Sequence, residues 1–289
     1  MLDILSALDS GELIVGDGAI GTMLQAKGLP AGAPPERWNT EHPEVLLEIH
    51  GAYLKVGAQI ATTNTFGGNR LRLRDGGLED ELVTLNRLGV ELAREAVGDE
   101  AWVAASVGPT GKLMEPFGPL SVAEAEEVYA EQIAILAQAG ADVILVETVH
   151  DIDEACCAIR AAKAETDLPV FATFAFNPKG RTMMGLKAED AARQAEQAGA
   201  DVVGANCGDG PEAIKTGLEG MKDATTLPLM AQSNAGVPRE EGGEAVWDVT
   251  PEEMAGYARL FVSLGARIVG GCCGTGPEHI AQIISAVRG

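Results

Sequence analysis

Four times along this chain a Gly-Ala pair closes an amphipathic stretch and opens an apolar one: Gly57-Ala58-Gln59-Ile60, Gly140-Ala141-Asp142-Val143, Gly199-Ala200-Asp201-Val202 and Gly265-Ala266-Arg267-Ile268. Each reads as a helix C-cap glycine feeding a buried strand. Leu168-Pro169 and Leu227-Pro228 introduce two further apolar runs, with proline at the first strand position, where no ladder donor is needed. Extending the pattern gives eight strands, at about 12–16, 58–63, 101–107, 142–147, 169–175, 201–206, 228–233 and 267–271, with seven helical patterns between them and an eighth at the C-terminus. Val143-Ile144-Leu145-Val146 is apolar on both faces, as a parallel strand covered by helices must be. Eight β/α units predict a (β/α)8 TIM barrel over residues 1–289, a single domain, with a doubly wound sheet as the alternative.

Helix starts support that reading. Ser121 with Glu124 and Thr250 with Glu253 fit capping boxes, and Pro251 and Pro277 fit the first helical position. Between 121 and 139, Val122, Ala125, Val128, Tyr129, Ile133 and Leu136 form one apolar face.

In a barrel of this kind the chemistry lies at the C-terminal ends of the strands. Those positions carry Asp17, Asn64, Ser106, Glu147, Asn177, Cys207, Asn234 and the pair Cys272-Cys273. Cys207 and the pair end strands six and eight, so three thiols can meet across the barrel mouth. Neighbouring residues on a strand point to opposite faces, so the backbone must bend for Cys272 and Cys273 to share one metal, and the flanking glycines permit it. Three protein thiolates suit zinc and leave one position open to substrate. Small buried core cysteines are the alternative. Cys156-Cys157, in a helical stretch without glycine, is assigned to packing. His42, His50 and His279 fall in helices or their approaches, and His150 is given a surface or capping role. A phosphate cradle after strand eight is disfavoured by the thiols, and a Schiff-base aldolase by the lack of a lysine at a strand end.

Charge narrows the partners. A net charge of −22 leaves no basic face for nucleic acid. Arg70, Arg72 and Arg74 cluster, and are read as a solvated face paired with nearby acids, or as a docking point for an anion. No apolar run is long enough for a membrane span, and the first ten residues lack a signal-peptide pattern. Five cysteines, two pairs of them adjacent, do not form a disulfide framework. The expected setting is reducing cytoplasm.

Asp17-Gly18-Ala19-Ile20-Gly21-Thr22, Thr63-Asn64-Thr65-Phe66-Gly67-Gly68-Asn69, Ser106-Val107-Gly108-Pro109-Thr110, Glu147-Thr148, Asn206-Cys207, Ser233-Asn234-Ala235-Gly236 and Gly270-Gly271-Cys272-Cys273-Gly274-Thr275 follow in this order. Together they resemble the zinc-dependent homocysteine S-methyltransferases across essentially the whole chain. The resemblance is nearest to the homocysteine-binding module of cobalamin-dependent methionine synthase. It implies that Cys207, Cys272 and Cys273 bind Zn2+, that Asp17, Gly18 and Glu147 hold the amino-acid end of homocysteine, and that Asn234 lies beside the metal. Asn64 and Ser106 are added as substrate contacts by position. The implied activity is methylation of homocysteine to methionine.

A free thiol with a pKa of about 8.5 is mostly protonated at neutral pH, and zinc coordination removes that proton. No separate general base is assigned. The expected donor is methylcobalamin on a corrinoid-binding partner protein or separate domain, since folate, corrinoid and activation modules do not fit in 289 residues. S-methylmethionine or betaine is the alternative, with Trp38 and Trp247 in long loops as candidates for an onium cage. Two readings outside homocysteine methylation stay open: a zinc methyltransferase passing the methyl group of another compound to a corrinoid, and a closed zinc site that only braces the barrel.

Overall fold

The computed structural model describes residues 2–241 and 244–289. Its eight barrel strands are β1 (Ile14–Val15), β2 (Ile60–Thr62), β3 (Trp102–Val107), β4 (Val143–Val149), β5 (Val170–Phe174), β6 (Val202–Cys207), β7 (Leu229–Ser233) and β8 (Ala266–Gly271). All pair in parallel, in the order β1-β8-β7-β6-β5-β4-β3-β2, and a single bridge between Gly16 and Ile60 joins the two ends. The fold is therefore the expected (β/α)8 barrel, with every anticipated strand present.

The Gly-Ala repeat does more than end helices. Its four glycines take φ values of 102°, 98°, 107° and 103°, the left-handed conformation a C-capping glycine supplies. The third residue of the repeat then holds the neighbouring strand: Gln59 Oε1 accepts from Val15 N, Asp142 Oδ2 from Val103 N and Asp201 Oδ2 from Val170 N. Arg267 reaches the carbonyl of Glu12 instead. A polar side chain after each turn thus ties one strand to its neighbour at the N-terminal end of the barrel.

Ile14, Ile60, Trp102, Val143, Leu145, Phe171, Met230 and Ile268 fill the barrel interior, and a helix at Ile4–Asp9 closes its lower end with Ile4, Ala7 and Leu8. The Trp102 indole donates to the Leu2 carbonyl and ties this plug in place. A second, larger apolar layer lies between the sheet and the surrounding helices. In the helix Val122–Gln138 the anticipated face is buried from Ala125 to Leu136, whereas Val122 is exposed. Thr250 and Glu253 form the reciprocal capping box, while Ser121 caps by accepting from Glu124 N.

The seam between β1 and β2 is short. Beyond the Gly16–Ile60 bridge it continues through a side chain, because the Asp17 carboxylate accepts from Thr62 N at 2.6 Å and Thr62 Oγ1 at 2.8 Å. Among the described residues no helix is long and apolar enough to cross a membrane.

Candidate metal and substrate site

Above the last apolar layer the strands end in polar residues around a cavity of about 690 Å³, whose inner wall includes Gly18, Ser106, Glu147, Gln232 and the three cysteines. The Sγ atoms of Cys207, Cys272 and Cys273 all lie within 4.8 Å of one another. Zinc–sulfur bonds of about 2.3 Å in a tetrahedron set sulfurs roughly 3.8 Å apart, so the three thiols suit one ion with little movement.

The bend that brings them together differs from the expected one. Cys207 itself adopts φ 56°, a left-handed conformation unusual outside glycine, and Gly208 follows with φ 61°. Backbone held this way costs on the order of 1–3 kcal/mol and concentrates at functional sites. At the other group the turn falls after the pair: Gly274 takes φ 78°, and Thr275 N and Oγ1 both donate to the Cys272 carbonyl. The Trp247 ring lies against Gly274, where an added Cβ would come within 2.3 Å of it.

The three thiols hydrogen-bond one another and compete for negative charge. Hydrogen bonds from Cys272 and Cys273 pull Cys207 down to about 3, and the bonds these two give push them up, Cys273 to about 12. A cation at the centre removes that competition. Asn234 Nδ2 donates to Gly208 O at 3.0 Å, its amide also acts on Cys207, and its buried Oδ1 has no protein partner.

Glu147 is half-buried and firmly held. Ser106 Oγ donates to one oxygen at 2.5 Å, and Asn206 Nδ2 to the other at 3.0 Å. Asn206 also donates to Thr148 Oγ1, and its Oδ1 receives Thr148 N, which stabilises Thr148 at φ 59°. Burial pushes the Glu147 pKa up to about 7, against the pull of Ser106 and with the charges of Cys207 and Asp17 adding to it. Asp17 is buried with both oxygens on Thr62 and does not line the cavity; burial raises it to about 7 despite those bonds. Two buried carboxyls thus sit where a cationic group would stabilise their ionised forms.

The remaining expected residues are distributed unevenly. Gly18 lines the cavity, but the neighbouring Ala19 N–H already donates to Thr275 O. Asn64 also lines it, with its Nδ2 spent on Pro35 O and Asn39 Oδ1. Ser106 is buried and acts by holding Glu147. His150 neither joins the thiols nor caps the following helix, whose N-cap is Asp151. Trp38 is not in a loop: it begins the short helix Trp38–Glu41, is buried and packs on His42. Asn177 ties a loop turn by accepting from Lys179 N and Arg181 N. Arg70 pairs with Glu127 and Glu131 and Arg74 with Glu79, while Arg72 lines the outer cavity. Cys157 is buried in the helix Ile152–Glu165, with Cys156 half-buried beside it.

Gly18 has no room for a side chain. An added Cβ would lie 2.8 Å from Thr275 Oγ1 and 2.9 Å from the Tyr53 hydroxyl, which contacts the carbonyls of Ala19 and Thr275. Gly18→Ala is expected to destabilise the protein by about 1–3 kcal/mol, measured by urea denaturation.

Fold and site define a (β/α)8 barrel protein with a three-thiol metal centre opening on a polar-floored cavity. The homocysteine S-methyltransferase family model matches residues 14–287, and the chain belongs to that family. It is 33% identical to methionine synthase of Mycobacterium tuberculosis and 32% identical to that of Mycobacterium leprae. In both comparisons 99% of this chain is matched but only 25% of the relative, so the chain spans about a quarter of their length. Among solved structures, the metallated homocysteine methyltransferase MmuM from Escherichia coli matches over 100% of both chains, at 24% identity and a TM-score of 0.83. Its oxidised form gives a TM-score of 0.84 over 99% of each chain, again at 24% identity. The expectation of cobalamin dependence is corrected here: MmuM shares this barrel end to end and is cobalamin-independent, so the fold brings no corrinoid requirement with it.

Proposed function

We propose that residues 1–289 act as one catalytic barrel that methylates homocysteine to methionine with the help of zinc. The observation that carries this reading is the convergence of Cys207, Cys272 and Cys273 on one point of the cavity that Glu147 also faces. When bound by the three thiols, zinc supplies a Lewis acid that keeps a thiol deprotonated at neutral pH. Glu147 receives the substrate ammonium, held in place by Ser106 and Asn206. Asp17 adds its charge from behind Thr62, and Gly18 offers its backbone to the substrate carboxylate. Asn234 packs beside the thiols and Asn64 forms part of the wall. The substrate sulfur, as thiolate, attacks the donor's methyl carbon; the new S–CH3 bond forms as the methyl group leaves the donor atom with its bonding electrons staying on that atom. No general base is required.

Two donor classes are supported by different observations. The cavity of about 690 Å³ beside the three thiols favours a small onium compound such as S-methylmethionine or betaine that enters unaided. Matching a quarter of the methionine synthases favours a methyl group presented by another protein or module, with a methylcorrinoid as its chemistry. All five cysteines are free thiols, which supports a reducing, cytoplasmic setting.

A donor panel tests the proposal. The zinc-loaded protein is mixed with homocysteine and S-methylmethionine, betaine or methylcobalamin, and methionine formation is measured. Methionine from one of these donors, dependent on bound zinc, is the expected result. Methyl transfer that proceeds equally in metal-free protein would overturn the zinc assignment, and no methionine from any donor would overturn the acceptor.

A further inference from the structure

Homocysteine recognition needs hydrogen-bond donors for its carboxylate as well as acceptors for its ammonium. Most of the deep cavity wall is already committed. Ser106 Oγ donates to Glu147, and Thr62 Oγ1 donates to Asp17. Thr63 Oγ1 is paired with Thr65, and both amide hydrogens of Asn64 are engaged. Ala19 N–H is bonded to Thr275 O. Arg72 and Gln25 line the same cavity but from exposed positions.

Gln232 is the exception. It is the penultimate residue of β7, in register with Asn206 on β6 and Gly270 on β8. Its side chain lines the cavity yet is only 4% exposed, and its buried Oε1 has no hydrogen-bond partner. Among the described residues its Nε2 makes no hydrogen bond either. It packs beside two glycines: a Cβ on Gly270 would sit 3.5 Å from Gln232 Cγ and one on Gly16 3.8 Å from Nε2, both ordinary contact distances. The amide therefore lies beside the Gly16-Asp17-Gly18 turn, where the substrate's amino-acid end is expected. A buried amide left without partners costs about 1–3 kcal/mol, a cost that a bound ligand removes when it completes the hydrogen bonding.

We propose that Gln232 is a specificity residue that donates from Nε2 to the α-carboxylate of the thiol substrate, beside the Gly18 backbone. The assignment rests on the homocysteine reading above. It divides recognition of the α-amino acid between two elements: Glu147 on β4 reads the cation and Gln232 on β7 reads the anion. It also places a neutral amide, not a guanidinium or ammonium, opposite the carboxylate, so the two buried acids are left for the substrate's own cation.

Thiol binding to the cobalt(II)-loaded protein, followed by the visible absorption of the metal, tests this without turnover. Homocysteine is compared with 3-aminopropanethiol, which keeps the thiol and amine but lacks the carboxylate. The near-isosteric Gln232→Met variant is expected to bind homocysteine about ten- to a hundredfold more weakly, the range for a hydrogen bond to a charged group, with 3-aminopropanethiol affinity unchanged. Equal weakening for both thiols, or no weakening for homocysteine, would overturn the role of Gln232 alone. A wild-type protein whose cobalt spectrum responds to neither thiol would overturn the homocysteine reading and this assignment together. Cobalt content and the urea midpoint of Gln232→Met are measured in parallel, so that a folding defect shows as loss of both metal and midpoint and counts as a structural role.

Discussion

Cys207→Ser and Cys273→Ser are each expected to reduce bound zinc to background and methionine formation by at least about a hundredfold. An uncoordinated thiol with a pKa near 8.5 is only a few per cent thiolate at neutral pH, and two remaining cysteines hold zinc poorly against solvent. Metal content by atomic emission and initial rates on the same preparation provide the check. Cys156→Ser serves as the matched control, because that thiol lies on the helix Ile152–Glu165 outside the group of three, and both quantities should stay at wild-type values. Retention of zinc and activity in either Cys207→Ser or Cys273→Ser would dismiss the ligand set. The left-handed backbone at Cys207 also predicts an asymmetry between variants. Cys207→Gly relieves that backbone while removing a ligand, so it should lose zinc without losing fold stability.

Glu147→Gln is expected to raise the KM for homocysteine about ten- to a hundredfold while zinc content is unchanged. The substitution keeps the shape and one acceptor for Asn206, Ser106 Oγ can turn to accept from the new amide, and the charge that pairs with the substrate ammonium is removed. The wild-type protein should show a related pH dependence. Burial has raised the pKa values of Glu147 and Asp17 to about 7, so at lower pH both are protonated and offer the ammonium no charge. Homocysteine affinity should therefore rise steeply as pH approaches 7 and keep above it only the shallower rise that deprotonation of the substrate thiol, with a pKa of about 8.5, contributes. In Glu147→Gln the rise should be shallower, because only Asp17 remains to ionise. An unchanged KM, or an identical pH profile, would remove Glu147 from the binding role.

Much of the architecture was legible because it depends on local features. Glycine at the end of a helix, an apolar run and a polar residue at the strand's C-terminal end are each readable within a few residues, and all eight strands follow from them. The three thiols were legible for the same reason, since each ends a strand of the barrel. What was missed depends on contacts between distant segments. Asp17 reads as a substrate contact, but its bonds with Thr62, 45 residues away, leave no mark in the sequence. Ser106 reads as a substrate contact by position, and its bond to Glu147, 41 residues away, is equally invisible in the sequence. Trp38 lay in a stretch rich in proline and glycine, where burial under neighbouring helices leaves no local mark. Gly208 marks a bend after the sixth strand, but that Cys207 itself takes the left-handed conformation is not readable from the sequence. Gln232 had a usable signal: it is a large polar residue next to the end of the strand Leu229–Ser233, at the end of the barrel where the chemistry is expected.

The short seam at the start of the barrel changes how variants at one position should be interpreted. Where β1 runs out of main chain, the carboxylate of residue 17 completes the ring by gripping the backbone of β2. A loss of turnover in Asp17→Ala would therefore carry two messages at once, a missing charge near the substrate and an unfastened cylinder. Asp17→Asn separates them, because an amide can still accept from the Thr62 backbone while carrying no charge. Hydrogen exchange at the Thr62 amide then reports on the fastening, independently of any catalytic assay.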